Sequence, residues 1–369
     1  MLTRTLVLAL ALPALCQSSQ ACRPRDQAGA QVIDDAEFAR LVNELSEDAG
    51  YFWSNNYISN ETSYQHVLPE VESRSLDEGA YIGVGPNQNF TYISAIRPKI
   101  AFIVDIRRQN LLEHLLFKIL ITRSASREDY LARLLARPPQ TSLPIDSSIQ
   151  EIVRHIEDTS ASESFFENQL SEIIATAHAF PGLDLSEQDV RDVTAIYREF
   201  YRQGFEIKYD SWRSFFFPSL KEFILETDLN DERRNWLASE ESFAYIRAME
   251  RENRIIPVVG DFAGDEALKR LGRLLESRGE TVTAFYVSNV EFYLFRQRKW
   301  SSFVENVERL PTTDASIFIR AYANLHRPHP RMVGDHITVS LVQSIHSFLR
   351  HARAGRFRNL WDVVTAEEL

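Results

Sequence analysis

The chain has 369 residues, 44% hydrophobic and 25% charged, the balance of a globular protein with room for one large domain or two ordinary ones. A formal net charge of -11 argues against the basic footprint that nucleic acid or an anionic membrane requires. Both cysteines, Cys16 and Cys22, lie near the N-terminus, so no disulfide framework or thiolate metal cluster is available.

Residues 1–21 read as a secretory signal peptide: a cation at Arg4, an apolar run over 6–15, then Ser19, Gln20 and Ala21 before the cut. Ten apolar residues are too few to span a bilayer, which needs about twenty, and no later segment reaches that length without charges. The mature chain is therefore expected to be exported, to the periplasm or cell envelope, without a transmembrane segment. Cys22 would be its first residue, an arrangement that resembles a lipoprotein, although the leucine usual three positions earlier is missing.

Residues 22–79 read as a helical lead-in. Phe38, Leu41, Val42 and Leu45 recur at helical spacing over 34–47, with Asp34 and Asp35 able to cap. Residues 51–64 are dense in aromatics and side-chain amides, a mixture that suits either a cover over a planar ligand or turns and caps.

The most informative stretch is 80–109: an apolar strand, a turn with Gly83 and Gly85, a helix, a second apolar strand, and Asp105 at its tip. Glycine permits positive φ and a close backbone approach, and a carboxylate about twenty residues later is placed to accept from ribose hydroxyls. Residues 111–254 are almost wholly helical in pattern, far longer than one crossover needs, and read as an insertion between strands two and three. Strand patterns return at 254–262, ending in Gly260 and Asp261, at 281–289, and at 316–322, while 337–353 reads as helix. Continuous apolar strands alternating with helices predict an α/β fold with a parallel sheet of about five strands, in the order 3-2-1-4-5. Its core would comprise 80–110 and 255–369. Right-handed crossovers bring Gly83, Asp105, Asp261 and Asn289 to one edge.

These residues resemble the Rossmann-like core of class I S-adenosylmethionine-dependent methyltransferases, over about a quarter to a third of the chain. The resemblance implies that Gly83 and Gly85, with Asn87 and Asn89, cradle the methionine part of S-adenosyl-L-methionine, that Asp105 holds the ribose, and that Asp261 and Phe262 meet the adenine. It puts Ser288, Asn289 and Glu291 beside the transferred methyl. The whole chain also resembles an uncharacterised bacterial family that shares its Ser-Asn-Glu-Thr-Ser-Tyr, Gly-Val-Gly-Pro and Val-Val-Gly-Asp-Phe-Ala-Gly segments. Departures from the methyltransferase pattern are specific. Ala80 and Tyr81 stand where an acid often precedes the turn, Gln88 replaces a third glycine, and Val290 follows Asn289 where amino methyltransferases have Pro-Pro. No sixth or seventh strand is legible.

A base is needed only if the methyl acceptor must lose a proton, and Glu61, Asn289, Glu291 and Tyr286 are the candidates. Of Arg107 and Arg108, one is expected to pair with a nearby carboxylate and the other to be exposed. His326, His329 and His336 surround a proline loop and are expected to hold no metal. The leading expectation is a methyltransferase-like enzyme for a small molecule. Its alternatives are an exported, non-catalytic ligand-binding protein and an acidic partner of another envelope protein. Export and a cytoplasmic cofactor pull against each other.

Overall fold

The computed structural model describes residues 32–76, 78–211, 214–324, 327–334 and 336–366. The signal peptide, its cut after Ala21 and lipidation at Cys22 lie outside the described residues, as does His326. Helix α1 (Asp35–Leu45) starts where Asp34 Oδ1 accepts the Glu37 N–H at 2.8 Å, and it buries Phe38, Leu41, Val42 and Leu45 as its spacing predicts. A 3-10 turn (Tyr64–Val67) leads through α2 (Leu68–Ser73) into β1 (Ala80–Gly83), α3 (Gln88–Ile96) and β2 (Ile100–Asp105).

Helices then run from α4 (Arg108–Arg123) through α5 (Arg127–Leu134), α6 (Ile149–Glu157), α7 (Glu163–His178), α8 (Glu187–Gln203) and α9 (Leu220–Leu225) to α10 (Glu240–Arg251). Ser148, Ser186 and Ser219 each start a helix with a reciprocal capping box, which satisfies otherwise orphaned donors. Helix α4 is buried on all sides because β2 and β3 (Ile255–Val259) cover one face and α5, α7, α8 and α10 the others. It packs the helices between β2 and β3 onto the sheet, with α10 also resting on α3.

The remaining elements are α11 (Ala267–Arg278), β4 (Val282–Ser288), α12 (Val290–Arg296), α13 (Trp300–Glu308), β5 (Thr312–Ala323), β6 (Thr338–Ser344), α14 (Ile345–Arg353) and α15 (Leu360–Val364). The described strands form one α/β sheet of six in the order β3-β2-β1-β4-β5-β6. Strands β1 to β5 are parallel, in the order expected. The expected helix over 337–353 is corrected: its first half is β6, antiparallel to β5 from Ile317↔Ser344 to Ala323↔Thr338. Seven half-apolar residues running straight into a Ser344-capped helix offer too short a period to separate strand from helix.

Strand order reverses between β1 and β4, so their connections leave in opposite directions and open a crevice beyond their C-terminal ends. No helix among the described residues is long and apolar enough to cross a membrane.

Candidate functional site

The crevice is a cleft of about 870 Å³, counting its open mouth, within the range of small-molecule sites. Its floor begins at the glycine turn. Gly85 has φ +78°, and Val84, Gly85, Pro86 and Gln88 face the cleft. Asn89 holds the turn from beneath: its Nδ2 donates to the carbonyls of Val84 (3.0 Å), Gly85 (3.2 Å) and Pro86 (2.7 Å), and its Oδ1 accepts from the Tyr81 hydroxyl (2.9 Å). A Cβ on Gly83 would lie 1.9 Å from Asn89 Oδ1, so glycine there makes room for that amide. Gly83, Asn87 and Asn89 thus build the underside of the turn, and of the four only Gly85 lines the cleft.

Asp105 lines it too, but is 5% exposed and already engaged. Its Oδ1 accepts from the Arg107 N–H (2.9 Å) and Nε (3.1 Å), and its Oδ2 from Nη2 (3.3 Å). Arg107 also donates to the Asn55 carbonyl. Burial pulls the guanidinium down, yet the adjacent carboxylate outweighs that and leaves it above its ordinary value. Arg108 is paired as well, through two bonds to Asp189 (2.6 and 2.9 Å), so of the two arginines expected to divide into one paired and one exposed, both are paired and Arg108 is part-buried. At the tip of β3, Asp261 and Phe262 both line the cleft. Asp261 takes Lys299 Nζ at 2.7 Å and the Ala263 N–H at 2.9 Å, and Phe262 packs edge-on against Phe285.

The polar centre is Glu61, which sequence reasoning named only as a possible base. It is 1% exposed and sits behind the lining: Oε1 accepts from Tyr286 (2.6 Å) and Ser288 (2.6 Å), Oε2 from Gln88 Nε2 (2.7 Å). Burial raises its carboxyl against the pull of those three donors. Tyr286, Ser288 and Gln88 line the cleft, so Glu61 fixes the direction in which they point. Ser288 ends β4 with φ +51°, where the pairing with β5 slips between Tyr286 and Ser288. Asn289 lines the cleft at the start of α12, whereas Glu291 does not; it is buried against Arg320 (3.3 Å). Tyr51, Phe52, Asn56, Ser59 and Asn60, from the segment dense in aromatics and amides, line the cleft as well.

Behind the glycine turn, α4 presents Asn110, Glu113 and His114 to the interior. His114 Nε2 donates to the Gly85 carbonyl at 2.9 Å, which leaves Nδ1 a bare acceptor without a partner. Burial pulls this imidazole down to about 4, so it is neutral. Neither carboxyl oxygen of Glu113 nor either amide atom of Asn110 has a partner among the described residues. Burial raises the Glu113 carboxyl well above its ordinary value, against the pull of Arg107. Sequence reasoning missed this trio, although polar residues at i, i+3 and i+4 on an otherwise apolar helix were the available signal.

His329 is consumed by structure: its Nε2 meets the Val364 carbonyl (3.0 Å) and its Nδ1 accepts the Arg331 N–H (3.1 Å). His336 instead stands with His66 and Glu226, their ligand atoms within 4.8 Å of one another. No curated protein matches the sequence. Residues 56–366, from the cleft wall to the last helix, match the model of a domain of unknown function, DUF7790, and the chain belongs to that family.

Proposed function

We propose that the cleft binds an adenosyl-type nucleoside ligand, S-adenosyl-L-methionine in the full form of the reading, and that the protein is a methyltransferase-like enzyme for a small molecule. One observation carries it: the glycine turn after β1 and the tips of β2, β3 and β4 line a single cleft at the point where strand order reverses. That arrangement also supports the Rossmann-like reading of the sheet.

The residues fit such a ligand. A Cβ on Gly85 would meet nothing closer than Asn56 Nδ2 at 3.8 Å, so a ligand can approach the turn closely. Asp105 Oδ2 carries only the 3.3 Å contact and keeps lone pairs for ribose hydroxyls. Phe262, Tyr51 and Phe52 offer faces and edges for a base, and Asp261 an acceptor for its amine. A bound sulfonium would supply an activated methyl group. The chain's own contribution is alignment and exclusion of water, with the Tyr286 and Ser288 side chains fixed in the cleft wall by donating to Glu61 behind it, which leaves their oxygen lone pairs as acceptors.

Thermal unfolding with and without S-adenosylmethionine and S-adenosylhomocysteine tests the reading. At about 100-fold over the dissociation constant, binding stabilises by about 2.7 kcal/mol and lifts the midpoint by several degrees. The lift should vanish in Asp105→Asn, which keeps the volume beside Arg107, and shrink in Tyr51→Ala, whose ring is 86% exposed. No lift with either ligand overturns it. A second reading, an exported binding protein without chemistry, draws on the fact that Arg107 and Lys299 already neutralise the two acids expected to meet the ligand. It predicts small-molecule binding without methyl transfer.

A further inference from the structure

We propose that His66, Glu226 and His336 form a binding site for a divalent transition metal of the zinc class, with one coordination position open. This inference is independent of the reading of the cleft.

The three residues come from distant parts of the chain: the 3-10 turn before α2, the segment after α9, and the loop before β6. Each offers one ligand atom, and these atoms lie within 4.8 Å of one another. In a tetrahedral site with bonds of about 2.0–2.1 Å, neighbouring ligands stand about 3.3 Å apart. Side-chain rotations closing the gaps by about 1–1.5 Å would suffice. The imidazoles meet edge to face with centroids 4.6 Å apart at 79°, and neither ring makes a hydrogen bond to a described residue. Glu226 has no cation partner among the described residues; its Oε1 accepts the Thr227 N–H at 3.1 Å and the other oxygen stays available.

The backbone around the trio is held firmly, as a metal site requires. Gln65, next to His66, donates to the Glu226 carbonyl at 2.9 Å, and Tyr64 stacks on Phe223 at 4.3 Å while donating to its carbonyl. Thr338, two residues after His336, accepts the Thr62 N–H at 2.9 Å, and Asn324 donates to the His336 carbonyl at 3.3 Å. These bonds tie the three segments together without using any of the three ligand atoms.

Two imidazoles and one carboxylate suit zinc and its neighbours, whereas magnesium and calcium prefer all-oxygen sets. Three protein ligands leave a fourth position for water or a substrate atom. Glu226 and His336 both line a second cavity of about 690 Å³, walled by Phe215, Phe216 and Phe217. Phe215 and Phe216 are 70% and 48% exposed, so the open position would face an accessible, aromatic-walled space.

The test uses the untagged full chain, stripped with chelator and titrated with Zn²⁺ by calorimetry and with Co²⁺ by visible absorption. One equivalent should bind, with a Co²⁺ spectrum of low coordination number, and Ca²⁺ and Mg²⁺ should not compete. His66→Ala, Glu226→Gln and His336→Ala should each weaken binding at least tenfold, and His178→Ala, an exposed histidine at the end of α7, should not. Metal-free unfolding midpoints of the variants, matched to the parent's, separate lost ligands from lost fold; a variant that fails this check is replaced by His→Gln at the same position. Binding unchanged in all three variants, or no stoichiometric binding, overturns the proposal.

Discussion

Two buried carboxylates flank the glycine turn in opposite states. Glu61, on the cleft side, has three donors within 2.7 Å; Glu113, on the α4 side, has none, and its neighbours Asn110 and His114 are also short of partners. A buried polar group with its full set of bonds holds a geometry, whereas one without them must stay neutral and makes stability depend on pH. The cleft side is therefore a scaffold for oriented hydroxyls. The α4 side is a proton-dependent weak point directly behind it.

Asp105 and Arg107 stand between the two regions, and breaking that pair should have the largest effect. Asp105→Ala would leave a buried guanidinium uncompensated, at a cost of about 3–5 kcal/mol in urea unfolding. From sequence alone Asp105 reads as a surface-tip acceptor whose removal spares the fold; at 5% exposure with Arg107 across it, that expectation is corrected. Asp105→Asn should cost markedly less. Equal losses would mean that the charge pair contributes little.

Next in size is Glu61. Glu61→Ala strands the Tyr286, Ser288 and Gln88 donors, and at about 1 kcal/mol or more for each the loss should reach about 3 kcal/mol. Glu61→Gln keeps an acceptor oxygen and should lose less than half of that. If the two variants unfold alike, the three hydrogen bonds do not hold the cleft floor.

Glu113 sharpens the comparison through pH. Its folded value is raised, so its contribution is complete below the ordinary carboxylate value and is lost as pH rises toward the folded one. Over that window the parent should lose about 1.4 kcal/mol per pH unit from this single proton. Glu250, raised to about 7 by burial despite Lys118, adds a slope of the same sign that both proteins share. Glu113→Gln should therefore unfold with a shallower decline as pH rises above the ordinary carboxylate range. Parallel curves for parent and variant would show that Glu113 does not carry the proton.

Much of this was legible in the chain. Strand order, the helical run between β2 and β3, and the convergence of Asp105, Asp261 and Asn289 follow from apolar runs and terminal acids, which are local signals, whereas Gly83, expected beside them, does not line the cleft and Gly85 does. What was not legible is pairing at a distance. Nothing local says that Arg108 reaches Asp189 across 81 residues or that Glu61 reaches β4 across 225. Strand β6 was lost because seven residues do not carry enough periods. His66 and Glu226 gave no spacing signal toward His336, since three separate segments bring them together.

The smallest predicted effect bears on the cleft's geometry. Ser288 holds φ +51° and gives its hydroxyl to Glu61 at 2.6 Å, so a strained backbone and a hydrogen bond oppose each other at one residue. Ser288→Gly removes both, and because each amounts to about 1 kcal/mol its stability should stay within about 1 kcal/mol of the parent. Ser288→Ala removes the bond but keeps the strain, and should be less stable than the glycine variant by about 1 kcal/mol. Urea midpoints of the pair decide it. Alanine equal to glycine would mean that the backbone here is relaxed and the slip in β4 pairing has a packing cause. The predicted order would instead mean that the left-handed turn persists against its own cost, with the bond to Glu61 fixing the Ser288 side chain in the cleft wall.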